Sequence, residues 1–377
     1  MSDTAPSDPP LARTPLHALH VAHGARMVPF AGFEMPVQYR GMIAEHEHTR
    51  AAASLFDVAH MGIASVEAPD RSLEETAAAL ETVVPGGITT LAPDRSRYTF
   101  LTNDRAGIVD DLFVSHTGSG FTLVLNAARI DTDLAHLQEQ LPSGVRIELR
   151  RDRGLLALQG PHAVNALGRL APEVRELSFM DGATVSVDGV DVRVSRSGYT
   201  GEDGFELAAA ADDLAPLAER MLAQEEVAFA GLGARDSLRL EAGLCLYGQD
   251  LDETTTPVEA GLTWAIPKRR RGPDGGYPGA ETVARQLEQG PERVRVGVRL
   301  VGRRLARPGA ELTDPDTAPL GPLTSGSHGP TVGGPIGMGY VPPTHTEPGT
   351  PLVAVERGRP LDAQVAALPF VPHRVVR

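Results

Sequence analysis

Apolar residues recur along the chain with two periods. From residue 11 to about residue 265, helical spacing alternates with strand spacing. Leu73 to Leu80 and Leu134 to Leu141 place apolar side chains three and four residues apart, which predicts amphipathic helices. Phe121 to Leu125, Val145 to Leu149 and Val185 to Val194 read as strands. A glycine-rich turn at Gly231-Leu232-Gly233 is expected to open a further helix running to Gly243. After about Glu292 the pattern becomes short Val-rich strands, such as Val294 to Val298 and Leu352 to Val355, broken by turn residues. That change predicts a small all-β barrel or sandwich behind an α+β part. With 377 residues the chain exceeds what one core supports, so the α+β part is expected to hold two subdomains. The expected division is a flexible leader over 1–13, an α+β part over 14–285 and a β domain over 290–377.

Composition narrows the chemistry. The net charge of −14 argues against non-specific binding to nucleic acid or to an anionic membrane. The chain has one lysine, Lys268, so its other basic residues are all arginine, a bias that codon usage explains. A Schiff base with a carbonyl substrate or pyridoxal phosphate needs a lysine that can lose its charge. Lys268 stands in a Lys-Arg-Arg-Arg run before Gly272 and Pro273, which reads as a solvated and mobile loop up to Gly279. The single cysteine, Cys245, excludes an internal disulfide, a CxxC pair and a multi-cysteine metal site. No stretch reaches the ~18 apolar residues of a membrane span. Met1 to Pro10 has neither a basic start nor an apolar run, so a soluble cytoplasmic protein is expected.

Several short patterns invite chemistry. Gly231-Leu232-Gly233-Ala234-Arg235-Asp236 lacks the third glycine of a dinucleotide loop and no strong strand leads into it. Gly333 to Gly339 has no helix after it and is expected to be a turn in the β domain. His17, His20 and His23 recur every third residue, and His46 and His48 flank Glu47, but no carboxylate partner or HExxH pattern accompanies them. They are expected at the surface or core edge, with no metal bound. Asp110-Asp111 lies inside an apolar strand pattern, so one carboxylate can point into a cavity while the other faces water. A turn with both acids solvated remains equally open. Ser197 to Leu207 sets three glycines around Tyr199 and then a strand-like Phe205-Glu206-Leu207; it is either a ligand loop or an ordinary hairpin. Arg235 and Arg239 share a helix face, and Arg235 can fork onto a ligand or pair with Glu241.

Together these segments resemble the glycine cleavage T-protein family of aminomethyltransferases. The likeness runs through Thr14 to His17, Gly24 to Val28, Phe30 to Pro36, Phe56 to Gly62, Gly107 to Leu112, Tyr199 to Glu206 and Gly231 to Asp236. Leu238 to Glu253 is its most specific stretch, and Thr324 to Gly326 and Ile336 to Val341 extend it into the β domain. The resemblance implies a folate-binding part of two related α+β subdomains followed by a C-terminal β-barrel. It implies transfer of a one-carbon unit from the aminomethyl-lipoyl arm of H-protein to tetrahydrofolate, with release of ammonia. Asp110 would be the catalytic carboxylate and Asp111 its neighbour. Glu206 would hold the pterin donors and Arg235 the folate, with Tyr98 and Tyr199 lining the pocket and Met61 an apolar contact. Lipoylated H-protein is the implied partner, with transient contact to other glycine cleavage components and no metal or pyridoxal phosphate. Arg150, Arg151 and Arg153 are one candidate docking cluster for it.

The chain departs from that family in places. Phe33 stands where a tryptophan is common, and Pro369 to Val375 has no aromatic after Pro372 for a ligand contact. Two relatives with other functions remain as alternatives, a folate-binding accessory protein of iron–sulfur repair and a folate-dependent demethylase. The accessory type centres on a cysteine within Gly-Cys-Tyr-x-Gly-Gln-Glu, and Cys245 stands in a different register.

Overall fold

The computed structural model describes residues 10–377. Its α+β part is built on two sheets. In the first, six strands lie in the order Gly182–Val187, Val190–Ser195, Gly204–Ala210, Arg153–Gln159, Ala53–Asp57 and Val227–Phe229. All pair antiparallel except the last two, which are parallel. The second sheet runs Ser96–Thr102, Ile108–His116, Phe121–Leu125, Gly62–Glu67 and Arg146–Leu149, antiparallel throughout. The chain leaves the first sheet for the second at residues 58–61 and returns at 150–152. Those two short crossings hold the sheets side by side.

Each sheet has its own core because each helix that covers it carries one apolar stripe. Leu214, Leu217, Ala218 and Met221 recur at helical spacing on Leu214–Leu222 and are buried on the first sheet with Val194, Phe205 and Leu207. Ala77 and Leu80 of Leu73–Glu81, and Leu137 of Ile130–Gln140, seal the second against Leu101, Leu112 and Leu123. The Leu73–Glu81 helix starts at Ser72, whose hydroxyl accepts from the Glu75 amide while the Glu75 carboxylate accepts from the Ser72 amide. Downstream, six strands close into a barrel in the order Val294–Leu300, Gly334–Val341, Pro319–Gly329, Glu311–Thr313, Pro351–Glu356 and Arg359–Ala366. Val296, Val298, Leu312, Leu323, Leu352 and Val365 fill it.

The structure differs from the sequence expectations at several points. Val185 to Val194 is two strands joined at Asp188-Gly189, both with positive φ, a tight hairpin hidden inside an unbroken valine pattern. Of Gly333 to Gly339 only Gly333 turns; the rest is barrel strand, and a Cβ on Gly337 would stand 2.5 Å from the Ser325 carbonyl oxygen. The Lys268 to Gly279 stretch is not a solvated loop as a whole. Lys268 is exposed, but Arg270 is buried and donates to the carbonyls of Glu81, Val84, Gly86 and Gly275, tying this segment to the second sheet's helix. Residues 1–9 of the expected leader lie outside the described residues, and Ala12 bridges to Phe33. Three of the five histidines, His17, His20 and His46, do have carboxylate partners, supplied from far along the chain. His20 Nε2 donates to Asp57 at 2.7 Å, His17 to Glu34 at 2.8 Å, and His46 meets Glu241 at 3.1 Å.

One helix joins the α+β part to the barrel. Leu232–Glu241 buries Arg239, whose Nη1 donates to Asp250 at 2.8 Å and Nη2 to Ser325 of the barrel at 2.9 Å. Asp250 also accepts from Ser325 and Thr324 hydroxyls and the Leu246 amide. Glu241, two residues on, accepts from Arg50, from His46 and from the barrel amide of Thr331.

Removing Asp250 leaves Arg239 buried with the half-exposed Asp236, 2.8 Å away, as its remaining counter-charge. Asp250→Ala should therefore cost about 3–5 kcal/mol in urea denaturation, while Arg239→Met with Asp250→Leu should recover most of that loss. A cost below about 1 kcal/mol for Asp250→Ala would show that the pair does not hold the two parts together.

His60 sits beside the crossing from the first sheet to the second, edge-on to Phe30 and Phe33 at 5.6 and 6.3 Å. Burial, with the Arg235 charge adding to it, pushes its pKa down to about 4. Between the unfolded value of about 6.5 and that folded value, the unfolded chain binds a proton that the folded chain refuses, so stability falls as pH drops. The full effect is on the order of 3 kcal/mol. His60→Phe should flatten the stability–pH slope in that window relative to the native chain. Parallel slopes for the two proteins would refute it.

Candidate active site

Three acids and an amide meet at the second sheet. The pairing register slips between Leu101 and Thr102, so Val109 is an extra residue and the strand bulges just before Asp110. A bulge re-aims the side chains that follow it. Asn126, at the end of the neighbouring strand, places its Nδ2 2.9 Å from Asp110 Oδ1, 2.9 Å from Asp111 Oδ1 and 3.0 Å from the Asp111 carbonyl. Tyr98 donates to Asp111 Oδ2 at 2.9 Å and stacks on the exposed Trp264, ring centroids 5.3 Å apart. Asp110 is fully buried, and its Oδ2 has no donor among the described residues. Asp133, from Ile130–Gln140, reaches Asp110 and has no donor on either oxygen. Burial raises all three acids: Asp111 is pushed up to about 7 by burial and then by the Asp110 charge.

The first sheet supplies the other half. Phe205 and Leu207 point into its core, so Glu206 between them faces the opposite side, where its carboxylate accepts from Ser197 at 2.6 Å. The Ser197 to Gly204 loop folds tightly over Gln159. A Cβ on Gly198 would lie 1.8 Å from Gln159 Oε1, and Gln159 Nε2 donates back to the Ser197 carbonyl at 2.9 Å. Tyr199 is thereby fixed, donating to the Cys245 carbonyl with its ring under the Arg235 guanidinium, 4.9 Å away. Among the described residues Arg235 makes no ion pair, and its Nη1 is buried without an acceptor. Burial lowers its pKa, and the nearby Glu206 and Tyr199 oppose that.

The structure thus brings Tyr98 and Asp110 together from the second sheet, and Tyr199, Glu206 and Arg235 from the first sheet and the joining helix. Tyr199 lies near enough to Tyr98 to help raise its pKa, after burial and Asp111. Met61 lies in the crossing between the sheets and packs in the apolar cluster of Phe56, Ile63 and Ala234. Two expectations fail. Asp111 does not face water, because Tyr98 and Asn126 hold it. Arg235 does not pair with Glu241, which belongs to Arg50 and His46. Of the arginine cluster, Arg150 is paired with Asp152 and Arg153 donates to the Ala208 carbonyl.

Sequence reasoning missed Asn126, Asp133, Ser197 and Trp264. Asn126 and Asp133 stand at a strand end and on a helix, where such residues are routine, and only the tertiary fold sets them beside Asp110. The tail, whose sequence offers no aromatic for a ligand after Pro372, crosses back over the first sheet's loop. The Arg374 amide donates to the Gly201 carbonyl at 2.8 Å, His373 to the Ala242 carbonyl at 2.8 Å and the Val371 amide to the Glu241 carbonyl at 2.9 Å. A separate cavity of about 290 Å³, lined by Asp250, Arg293, Thr324 and Tyr340 at the barrel seam, includes none of the residues expected at the site.

Residues 16–270 match the family described as the GCVT N-terminal domain, and residues 293–372 the glycine cleavage T-protein C-terminal barrel domain. The chain is 46% identical to the mitochondrial aminomethyltransferase of Gallus gallus, over 96% of this chain and 93% of that protein. It is 42% identical to the mitochondrial aminomethyltransferase of Homo sapiens, over 96% and 90%. The crystal structure of the glycine cleavage system aminomethyltransferase T from Bartonella henselae superposes with a TM-score of 0.90 at 40% identity, covering 97% of this chain and 100% of that one. On a shared sequence, a shared two-part division and a shared fold, the chain belongs to the glycine cleavage T-protein family of aminomethyltransferases.

Proposed function

We propose that this aminomethyltransferase takes the one-carbon unit from the aminomethyl-dihydrolipoyl arm of H-protein and passes it to tetrahydrofolate. Ammonia, 5,10-methylenetetrahydrofolate and the reduced lipoyl arm are the products. The observation that carries the reading is a pair of orphaned polar groups at one site, Asp110 Oδ2 and Arg235 Nη1. Buried polar atoms without partners are costly, and a ligand that satisfies both explains why they are kept.

The chemistry asks for such a carboxylate. As ammonia leaves the S–CH2–NH2 group, positive charge develops on the carbon, and the attacking folate amine must lose a proton. A buried Asp110 carboxylate stabilises the charge and orients or accepts the proton, its effect magnified where water is excluded. Asn126 holds it by Oδ1, leaving Oδ2 for the reacting atoms. Glu206 accepts from the donor edge of the pterin, with Ser197 steadying it, and Arg235 grips the folate from above the Tyr199 ring. Tyr98 and Tyr199 form the pocket walls and Met61 an apolar contact. The reaction as written uses neither a metal nor pyridoxal phosphate. Lipoylated H-protein is the partner, and contact with other glycine cleavage components is transient.

With aminomethylated H-protein and tetrahydrofolate, the protein should release ammonia. Folate binding without turnover would instead favour the accessory role, and turnover only with another donor a demethylase. Asp110→Asn should bind folate normally and lose roughly a hundredfold or more in kcat for ammonia release. Near-normal release would remove Asp110 from the chemistry.

Arg235→Ala should weaken folate binding by about tenfold to a hundredfold in calorimetry, the scale of a lost charged hydrogen bond. Unchanged affinity would take Arg235 out of the site.

A further inference from the structure

Asp133 has no part in the mechanism above, yet it is a buried acid in contact with the carboxylate that does. Both of its oxygens and Asp110 Oδ2 lack a donor among the described residues. Two carboxylates that touch inside a protein cannot both be ionised, so one proton lies between them. The surroundings say which acid holds it. Asp110 Oδ1 accepts from Asn126, which favours its charged form, whereas Asp133 accepts from nothing.

The neighbouring groups do not reverse that assignment. Arg129, one turn earlier on the same helix, donates through Nη2 to Glu253 at 2.8 Å and stacks on Tyr247 at 5.0 Å. His136, one turn later, is pushed toward its neutral form by burial. From the facing strands Asp111 is occupied by Asn126 and Tyr98, and from the following loop Tyr247 donates to the Ile108 carbonyl at 3.2 Å. Burial and the Asp110 contact push the Asp133 pKa up against the opposing charge of Arg129, in agreement with the geometry.

We propose that Asp133 is a positioning acid for the reaction: it stays protonated at neutral pH and donates that proton in a hydrogen bond to Asp110, holding the catalytic carboxylate in one orientation toward bound folate. The inference rests on the role given to Asp110 above. Asn126 and Asp133 then hold a single carboxylate, whose Oδ2 keeps a second lone pair for the reacting atoms, and neither brings a positive charge that would cancel its own.

Three proteins test it: the native chain, Asp133→Asn, which keeps a donor in place, and Asp133→Leu, which keeps the volume and removes the donor. Asp133→Leu should lose about tenfold to a hundredfold in kcat with little change in KM for folate. The acid limb of its pH profile should move to higher pH by about one unit, since Asp110 has lost a donor to its charged form. Asp133→Asn should stay within about threefold of native kcat with the limb unmoved, a rescue that a merely structural role does not predict. Infrared spectroscopy at mildly alkaline pH should show a protonated-carboxyl C=O band in the native protein that both variants lack. That measurement needs no substrate, so it decides the question even if Asp133→Leu fails to fold, and it stands apart from any failure of aminomethyl transfer itself. The proposal is overturned if the native band is absent or survives in Asp133→Asn. It is equally overturned if Asp133→Leu keeps native kcat and pH profile, or if Asp133→Asn falls as far as Asp133→Leu.

Discussion

The buried pairing of Arg239 with Asp250 is the constraint on which the rest of this molecule depends. Two sheets and a barrel, each with its own core, have no reason of their own to take up one relative position. Arg239 reaches Asp250 and Ser325 from a helix whose preceding turn carries Arg235. An arginine in that setting must satisfy its donors in one geometry or leave a charge unmatched in the interior, so it tolerates little sliding. The helix is thereby fixed against the barrel, and the Arg235 guanidinium over Tyr199 is fixed with it. The position of a ligand-facing group is set by an ion pair one turn further along the same helix.

The site is built against folding stability. Asp110, Asp111 and Asp133 are gathered where burial disfavours the charge on each, and Arg235 Nη1 is buried without an acceptor. Natural proteins keep such unfavourable groups where function needs them and draw the stability from elsewhere. Here it comes from two apolar cores on either side and from neutral donors, Asn126 and Tyr98, that satisfy some of the acids without discharging them.

Much of this was legible from residue order because the information was local. The helix at Leu73 announces itself by apolar residues three and four apart, and the strand at Phe121 to Leu125 alternates cleanly. The break at Glu292 marks the barrel by a change of period. Asp110 stood out because a carboxylate interrupts an apolar strand, and Glu206 for the same reason. What stayed hidden was relational. Nothing near Asn126 or Asp133 says that a bulge at Val109 will turn an acid toward them. Arg270 looks like one of a solvated run, and only the fold reveals the carbonyls of Val84 and Gly86 that take its donors. The partners of His20 and His46 lie 37 and 191 or more residues away, beyond the reach of any spacing rule.

The tail that crosses back over the first sheet has a consequence in time. Residues 371–374 follow the whole barrel in the chain, yet their backbone groups close against Glu241, Ala242 and Gly201, beside the loop that carries Tyr199. Each sheet can acquire its core as it emerges from the ribosome, because domains generally fold as units in the order of synthesis. The pocket wall cannot be finished in that order. It waits for a segment made after everything else it touches, so a nascent chain has folded sheets well before it has a completed enzyme.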